Sequence, residues 1–438
     1  MSTLPPFPFR FSPTLSSLSL PPPPVLLTFQ LLTSATIIGF TPPSSWLRPA
    51  ALPLLSACAA CIVRNAPAYM RPRWGSLLGG FSVALLLQYV DLGVISRWGF
   101  GDGGKVAAKE REGDDDDDAD VRKASRNRNR NSSVAARFAF GWHALWSFRH
   151  INSPHSVPSI PPFSTASPAY VPPRRRFVAQ QCAVACTCYI LLDLLAARPP
   201  PANAAQIFNP ALVPFFARLG SVTGAEIKLR ALSIAGFAFT FYCVIQGFQS
   251  LAAAVAVGLG VSGVEEWRPA FGRLADAWRL KNVWGKFWHQ LLRRPLTVPA
   301  SALVHDVLCL PRHTVPAGAL KILISFAISG AMHTAAGVAS GMPAHELGVF
   351  RFFCTQAFGV LFEQSVISVF RSVRGVAEKE KEREKPPVWM RAVGFVWVAG
   401  FMAWSGPAWL YPQAARAPRQ GATSFLPFSV VGMVSKLG

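Results

Sequence analysis

Acidic residues are scarce in this chain. Its 438 residues hold 22 Asp and Glu against 43 Lys and Arg, and one run, Asp114–Asp118, takes several of the acids. Charged residues of both signs make up 15% of the whole, well below the roughly 25% of soluble domains. So little charge excludes an ordinary water-facing globular surface. Two catalytic signatures are missing as well. No histidine is followed five residues later by aspartate, and no Gly-x-Ser-x-Gly occurs, so the sequence has neither a His-x4-Asp acyltransferase motif nor a nucleophile elbow. A metal framework is lacking too. Cys58 and Cys61 stand as a CxxC pair, but no second ligand pair follows at finger-like spacing. Cys182, Cys186, Cys188, Cys243 and Cys354 lie in apolar runs, as small fillers. No metal is expected.

What the chain has instead is length of apolar sequence. Hydrophobic residues reach 51%, gathered in runs near 25–41, 49–63, 77–95, 177–197, 231–264, 322–342, 347–370 and 388–410, with a short one at 300–310. The expected fold class is all-α, a polytopic transmembrane helical bundle of about 8–10 spans. The run at 25–41 lacks a small-x-small cleavage site and reads as a retained span. The run at 49–63 is short and holds Pro53, which suggests a re-entrant segment. Residues 231–264 carry no charge over 34 positions. That is about 50 Å of helix, too long for one upright crossing and barely enough for two. Asp91, near the end of its run, reads as interfacial. The net charge is +21, and many of the cations flank apolar runs, which points to membrane lipids as partners and away from nucleic acid.

The polar stretches set the expected divisions. Residues 1–24 are a Pro/Ser-rich disordered lead, and 25–96 are N-terminal spans. Residues 97–137, which include KEREGDDDDDAD and the sequon at Asn131, are a charged disordered loop. Residues 138–438 are the transmembrane core, with another charged loop at Glu378–Lys385 and an interfacial piece at 424–434. His143, His150 and His155 read as interface histidines. The GLGVSG at Gly258–Gly263 fits a dinucleotide pattern but has no strand before it, so it carries no weight.

Two segments carry the chemistry. Trp267–Arg294 is aromatic and cationic, with one histidine, His289. On a helix, Trp284, Phe287, Trp288 and Leu291 would form one apolar face for a membrane interface. Ile322–Met342 has no formal charge and one histidine, His333, twelve residues after Lys321. That spacing is about 18 Å along a helix, near the middle of the hydrocarbon. An ionisable group at that depth marks a functional site by default.

Leu280–Gly285 (LKNVWG), Trp288-His289-Gln290, Ser329-Gly330 and Met332-His333 together resemble the membrane-bound O-acyltransferases, closest to the fungal branch with a wax-synthase-type domain, here at about 267–365. Val283 stands where phenylalanine is usual and Arg279 where serine or threonine is usual. Arg149-His150-Ile151-Asn152 takes the place of an arginine-glycine-isoleucine-glycine motif, without its glycines. The resemblance implies a catalytic tunnel with His333 as catalytic histidine and His289 as a second catalytic group. It also implies acyl-CoA as co-substrate with no permanent cofactor, a lipophilic alcohol as acceptor, and the endoplasmic reticulum as location. In that branch the usual reaction is acetyl transfer from acetyl-CoA to a terpenoid or meroterpenoid hydroxyl. Asn282, Trp284, Trp288 and Gln290 would then shape the site. Lys281, Lys286, Arg293 and Arg294 would meet the phosphates of coenzyme A. Gln356 and Glu363 read as a structural polar network, and Arg149 is a further group that an anion can meet. Two alternatives stand beside this: a long-chain wax ester synthase, and a proton-coupled transporter relaying through His333 and Glu363.

Overall fold

An apolar run in hydrocarbon has no water for its amides, so it must satisfy them within itself as a helix. The computed structural model, which describes residues 21–100, 133–153, 155–198, 201–373, 387–416 and 426–434, bears this out. Expectations placed on residues 1–20, on Asp114–Asp118 and Asn131, and on Glu378–Lys385 lie outside the described residues. The helices that matter below are α1 (Pro23–Phe40), α2 (Leu52–Tyr69), α3 (Pro72–Tyr89), α4 (Val134–Trp146), α5 (Arg174–Ala196), α6 (Gly224–Gly258), α7 (Arg293–Ala302), α8 (Val315–Ala339), α9 (Val349–Val373), α10 (Val388–Ser405) and α11 (Pro407–Arg416). Among the described residues there is no extended strand, and 8 helices are long and apolar enough to cross a membrane: α1, α2, α3, α5, α6, α8, α9 and α10.

Three expectations change. Pro53 falls in the first turn of α2, where a missing N–H costs nothing, so the second run is a full helix of 18 residues, in a segment long and apolar enough to cross a membrane. The long uncharged run lies in one helix, α6, of 35 residues, up to Gly258, where the helix ends. It contains no proline to break it, and the side chain of Thr223 caps it by accepting from the Glu226 amide at 3.2 Å. Asp91 is not interfacial: it is wholly buried in a π-helical turn, Val90–Ile95, that prolongs α3.

The contacts divide the chain into two interleaved units, Pro8–Val157 with Leu291–Ala344, and Pro158–Gln290 with His345–Gly438. The division does not follow the linear boundary between 25–96 and 138–438, because α4 packs on α1 within the first unit. The first unit is built on Leu31, Ala35, Ile38, Leu55, Leu85, Tyr89 and Leu92. Polar side chains inside it bond to main-chain oxygens: Gln30 to Ser82 at 3.0 Å and Gln88 to Ala144 at 3.2 Å. The helix that carries His333, α8, lies against α3 at Gly75 and Gly79, where any added Cβ would collide with Ala339. In the second unit α5 runs along α6 over Phe177, Ala253 and Val257. The short helix Val430–Val434 docks there, its Val431 amide donating to Asp193 at 2.9 Å.

Candidate active site

The segment around His289 is not the continuous amphipathic helix that the spacing suggests. It is a series of short turns: Val264–Trp267, Leu274–Asp276, Leu280–Asn282 and a π turn Val283–Phe287. At Trp288 the backbone is extended (ψ 148°), so Trp284, Phe287, Trp288 and Leu291 do not form one helical face. The cause is local. The Gln290 side chain donates to the carbonyls of Trp284 (3.2 Å) and Trp288 (2.6 Å), and the Gly272 amide donates to that of Phe287 (2.9 Å). Carbonyls that would continue the helix are thus already taken. The His289 ring lies edge-on to Phe271, with centroids 6.0 Å apart, and 5.8 Å from Trp288.

Two buried side chains of α9 hold this segment from the other side. Glu363 accepts four bonds: from the Leu280 amide at 2.7 Å, the Trp397 indole at 3.2 Å, the Arg279 guanidinium at 3.3 Å and the Lys281 amide at 3.4 Å. One carboxylate therefore caps the Leu280–Asn282 turn and neutralises the cation beside it. Two turns earlier, Gln356 accepts from the Trp284 indole at 3.4 Å and donates to Ser405 at 3.0 Å. Asn282 donates to the Asp276 carbonyl at 3.0 Å, and Lys281 and Lys286 are exposed.

His333 sits in an unbroken helix of 25 residues. Its Nδ1 lies 2.9 Å from the carbonyl oxygen of Ser329. A carbonyl only accepts, so Nδ1 carries the hydrogen, and the neutral ring has its lone pair on Nε2. The hydroxyls on either side are turned back onto the helix, Ser325 to Lys321 at 2.7 Å and Thr334 to Gly330 at 2.8 Å.

A third polar group lies wholly in the first unit. Arg294 holds Asp91 through two bonds, Nε to Oδ2 at 2.5 Å and Nη2 to Oδ1 at 3.1 Å, and also donates to Ser96 at 2.8 Å. Trp98 lies beside it, in contact with both His150 (4.5 Å) and His155 (5.3 Å). Arg149 and His150 are buried, so His150 is no interface histidine, while His143 is exposed as expected. Burial pushes the Arg149 guanidinium down to about 10. Burial, then the charges of Arg294, His155 and His143, push His150 down to about 3. Burial and Arg294 also lower His155, against the pull of Asp91. His150 and Asn152 stand where the resembled motif has glycines, and both adopt positive φ, 47° and 63°. The turn has kept a backbone that suits glycine while using two of the residue types that best tolerate it.

A family model described as "Membrane bound O-acyl transferase family" matches residues 267–355. Acetyltransferase aurG of Calcarisporium arbuscula is 30% identical over 386 residues, 87% of this chain and 90% of that protein. The chain belongs to the membrane-bound O-acyltransferase family. Acetyltransferase pyr8 of Aspergillus fumigatus is 32% identical over 69% of this chain and 70% of that protein, and Acetyltransferase fsoF of Humicola fuscoatra is 28% identical over 89% and 96%. The protein is thus a multi-pass membrane O-acyltransferase that draws on an acyl-CoA, and the transporter reading falls. Within this acyltransferase the matched residues contain both His289 and His333, while Gln356 and Glu363 lie just beyond them. The Asp91–Arg294 pair is what sequence reading missed. Its one available signal was a carboxylate at the end of an otherwise uncharged run, which needs a cation if it is buried.

Proposed function

We propose that this acyltransferase moves the acetyl group of acetyl-CoA onto a hydroxyl of a lipophilic secondary metabolite of terpenoid or meroterpenoid type, at the endoplasmic reticulum. His333 is the general base. The acceptor oxygen attacks the thioester carbonyl, a C–O bond forms, the C–S bond breaks, and the hydroxyl proton passes to Nε2 of His333. Coenzyme A leaves as the thiolate and takes that proton back from Nε2 as the free thiol, which restores the neutral base. His289 acts on the same reaction, by orienting the acceptor, polarising the thioester carbonyl or helping the thiol to leave. Asn282, Trp284, Trp288 and Gln290 shape the surroundings of His289, and exposed Lys281 and Lys286, with Arg293, meet the coenzyme A phosphates. Arg294 supports the site through Asp91 instead, since its guanidinium is already engaged there.

The observation that carries this reading is the bond from His333 to the Ser329 carbonyl, because it sets the tautomer a base requires. The relatives aurG, pyr8 and fsoF, each an acetyltransferase, support the acetyl group. The test uses microsomes carrying wild type, His333→Ala or His289→Ala, given labelled acetyl-CoA or a long-chain acyl-CoA beside an extract of lipophilic alcohols. His333→Ala should lose at least about 100-fold in acetyl transfer. Full activity in that variant overturns the assignment. Turnover of only the long-chain donor would make the protein a wax ester synthase.

A further inference from the structure

The second unit has a groove of about 620 Å³ between α9, α10 and the start of α6, a size that suits a bound small molecule. One wall is a continuous row of rings. Phe216 meets Trp404 at 5.4 Å, Trp404 meets Phe401 at 5.3 Å, Phe401 meets Trp397 at 5.3 Å, and Trp397 meets Phe362 at 5.8 Å. Arg230 also lines the groove, although only 1% of that residue is exposed. Its Nε and Nη2 are bound to Glu226 at 3.0 and 2.9 Å, and Nη2 also donates to the Leu212 carbonyl. Its Nη1 is buried and has no hydrogen-bond partner among the described residues, and the guanidinium lies over the rings of Phe215 (5.1 Å) and Tyr411 (5.9 Å).

The charges at this place do not balance. Glu226 is shared between Arg230 and Arg218, the latter at 2.9 Å, so one carboxylate answers two guanidiniums. The positive end of the α6 dipole lies at this end of the helix as well. From Ala231 to Val264 the chain carries no charge, so Arg230 marks the water-side end of the apolar part of α6. A surplus cation at that level, with an apolar aromatic trough leading from it, matches an anionic amphiphile lying along a membrane span. We propose that the groove binds an anionic glycerophospholipid of the surrounding bilayer. Its phosphate faces the Arg230 cluster and one acyl chain lies along the row from Trp404 to Phe362.

The test is tryptophan quenching of the full chain in lipid nanodiscs, with bromine on the acyl chains of either phosphatidylserine or phosphatidylcholine. Half-quenching should need about fivefold less of the serine lipid, and Arg230→Gln should remove the preference. Trp397→Phe and Trp404→Phe should each remove part of the quenching that depends on head group. Gly400 lines the groove, and a Cβ there meets nothing within 4 Å, so Gly400→Phe fills the trough without disturbing the polar cluster. That variant should quench equally with both lipids. Identical curves for the two head groups in the wild type, or a preference that survives Gly400→Phe, would overturn the proposal.

Discussion

His289 sits where a helix has just ended, and His333 sits in the middle of one that runs 25 residues without a break. The first is positioned by side chains: Gln290 occupies the carbonyls behind it, while Glu363 and Gln356 hold the turns before it. The second is fixed through main chain, by the i−4 bond to Ser329 and the close approach of α8 to α3 at Gly75 and Gly79. Irregular backbone needs buried polar partners to exist at all in a membrane protein, whereas a regular helix needs only a surface that fits it. The two histidines should therefore fail by different routes.

The largest effect is expected from Glu363→Ala. It strands the Arg279 guanidinium, two amides and the Trp397 indole, and removing one partner of a buried ion pair costs about 3–5 kcal/mol. Denaturant unfolding in detergent measures this, and an unchanged midpoint would mean that the His289 segment is held by something else. Gly79→Leu attacks the other histidine through packing. It should cost about 1–3 kcal/mol by forcing α3 away from Ala339, with acetyl transfer falling in step. Gly318→Ala, at a point of α8 where a Cβ meets nothing, is the control and should leave activity intact.

The Arg149–Asn152 turn extends the comparison, since it is irregular backbone outside the spans. Neither nitrogen of the buried His150 ring has a hydrogen-bond partner among the described residues. Its folded-state value of about 3 lies below the ordinary 6.5, so the unfolded chain binds the proton more readily. The stability this group contributes is full above pH 6.5 and is lost as pH falls toward 3. By pH 5 the loss should reach about 2 kcal/mol, and His150→Asn should flatten that part of the profile of thermal midpoint against pH. Asn152→Gly should give the smallest effect, a gain of roughly 0.5 kcal/mol from relief of its positive φ, read as a slightly higher midpoint. A loss there would mean that the Asn152 side chain contributes more than its backbone costs.

Much of this could be read from residue order. Apolar run length located the spans, and one histidine in an uncharged run singled out His333. What the order of residues could not convey was where helices stop. The spacing of Trp284, Phe287 and Trp288 is helical, yet the helix ends there because Gln290 and Gly272 take its carbonyls, and both bonds depend on tertiary position. Pro53 looked like a breaker because its place within the turn was not known, and at the first turn it breaks nothing. Asp91 looked interfacial because its partner, Arg294, is some 200 positions away and no local pattern connects the two.

The Ser329 oxygen that receives the His333 hydrogen belongs to the backbone. Replacing the Ser329 side chain leaves that oxygen in place, so residue 329 is free to vary without changing which nitrogen is the base. Only bending α8 can take the acceptor away. The chemistry of the ring is thereby insured against point mutation at its own hydrogen-bond partner, and exposed instead to whatever distorts the shape of one long rod.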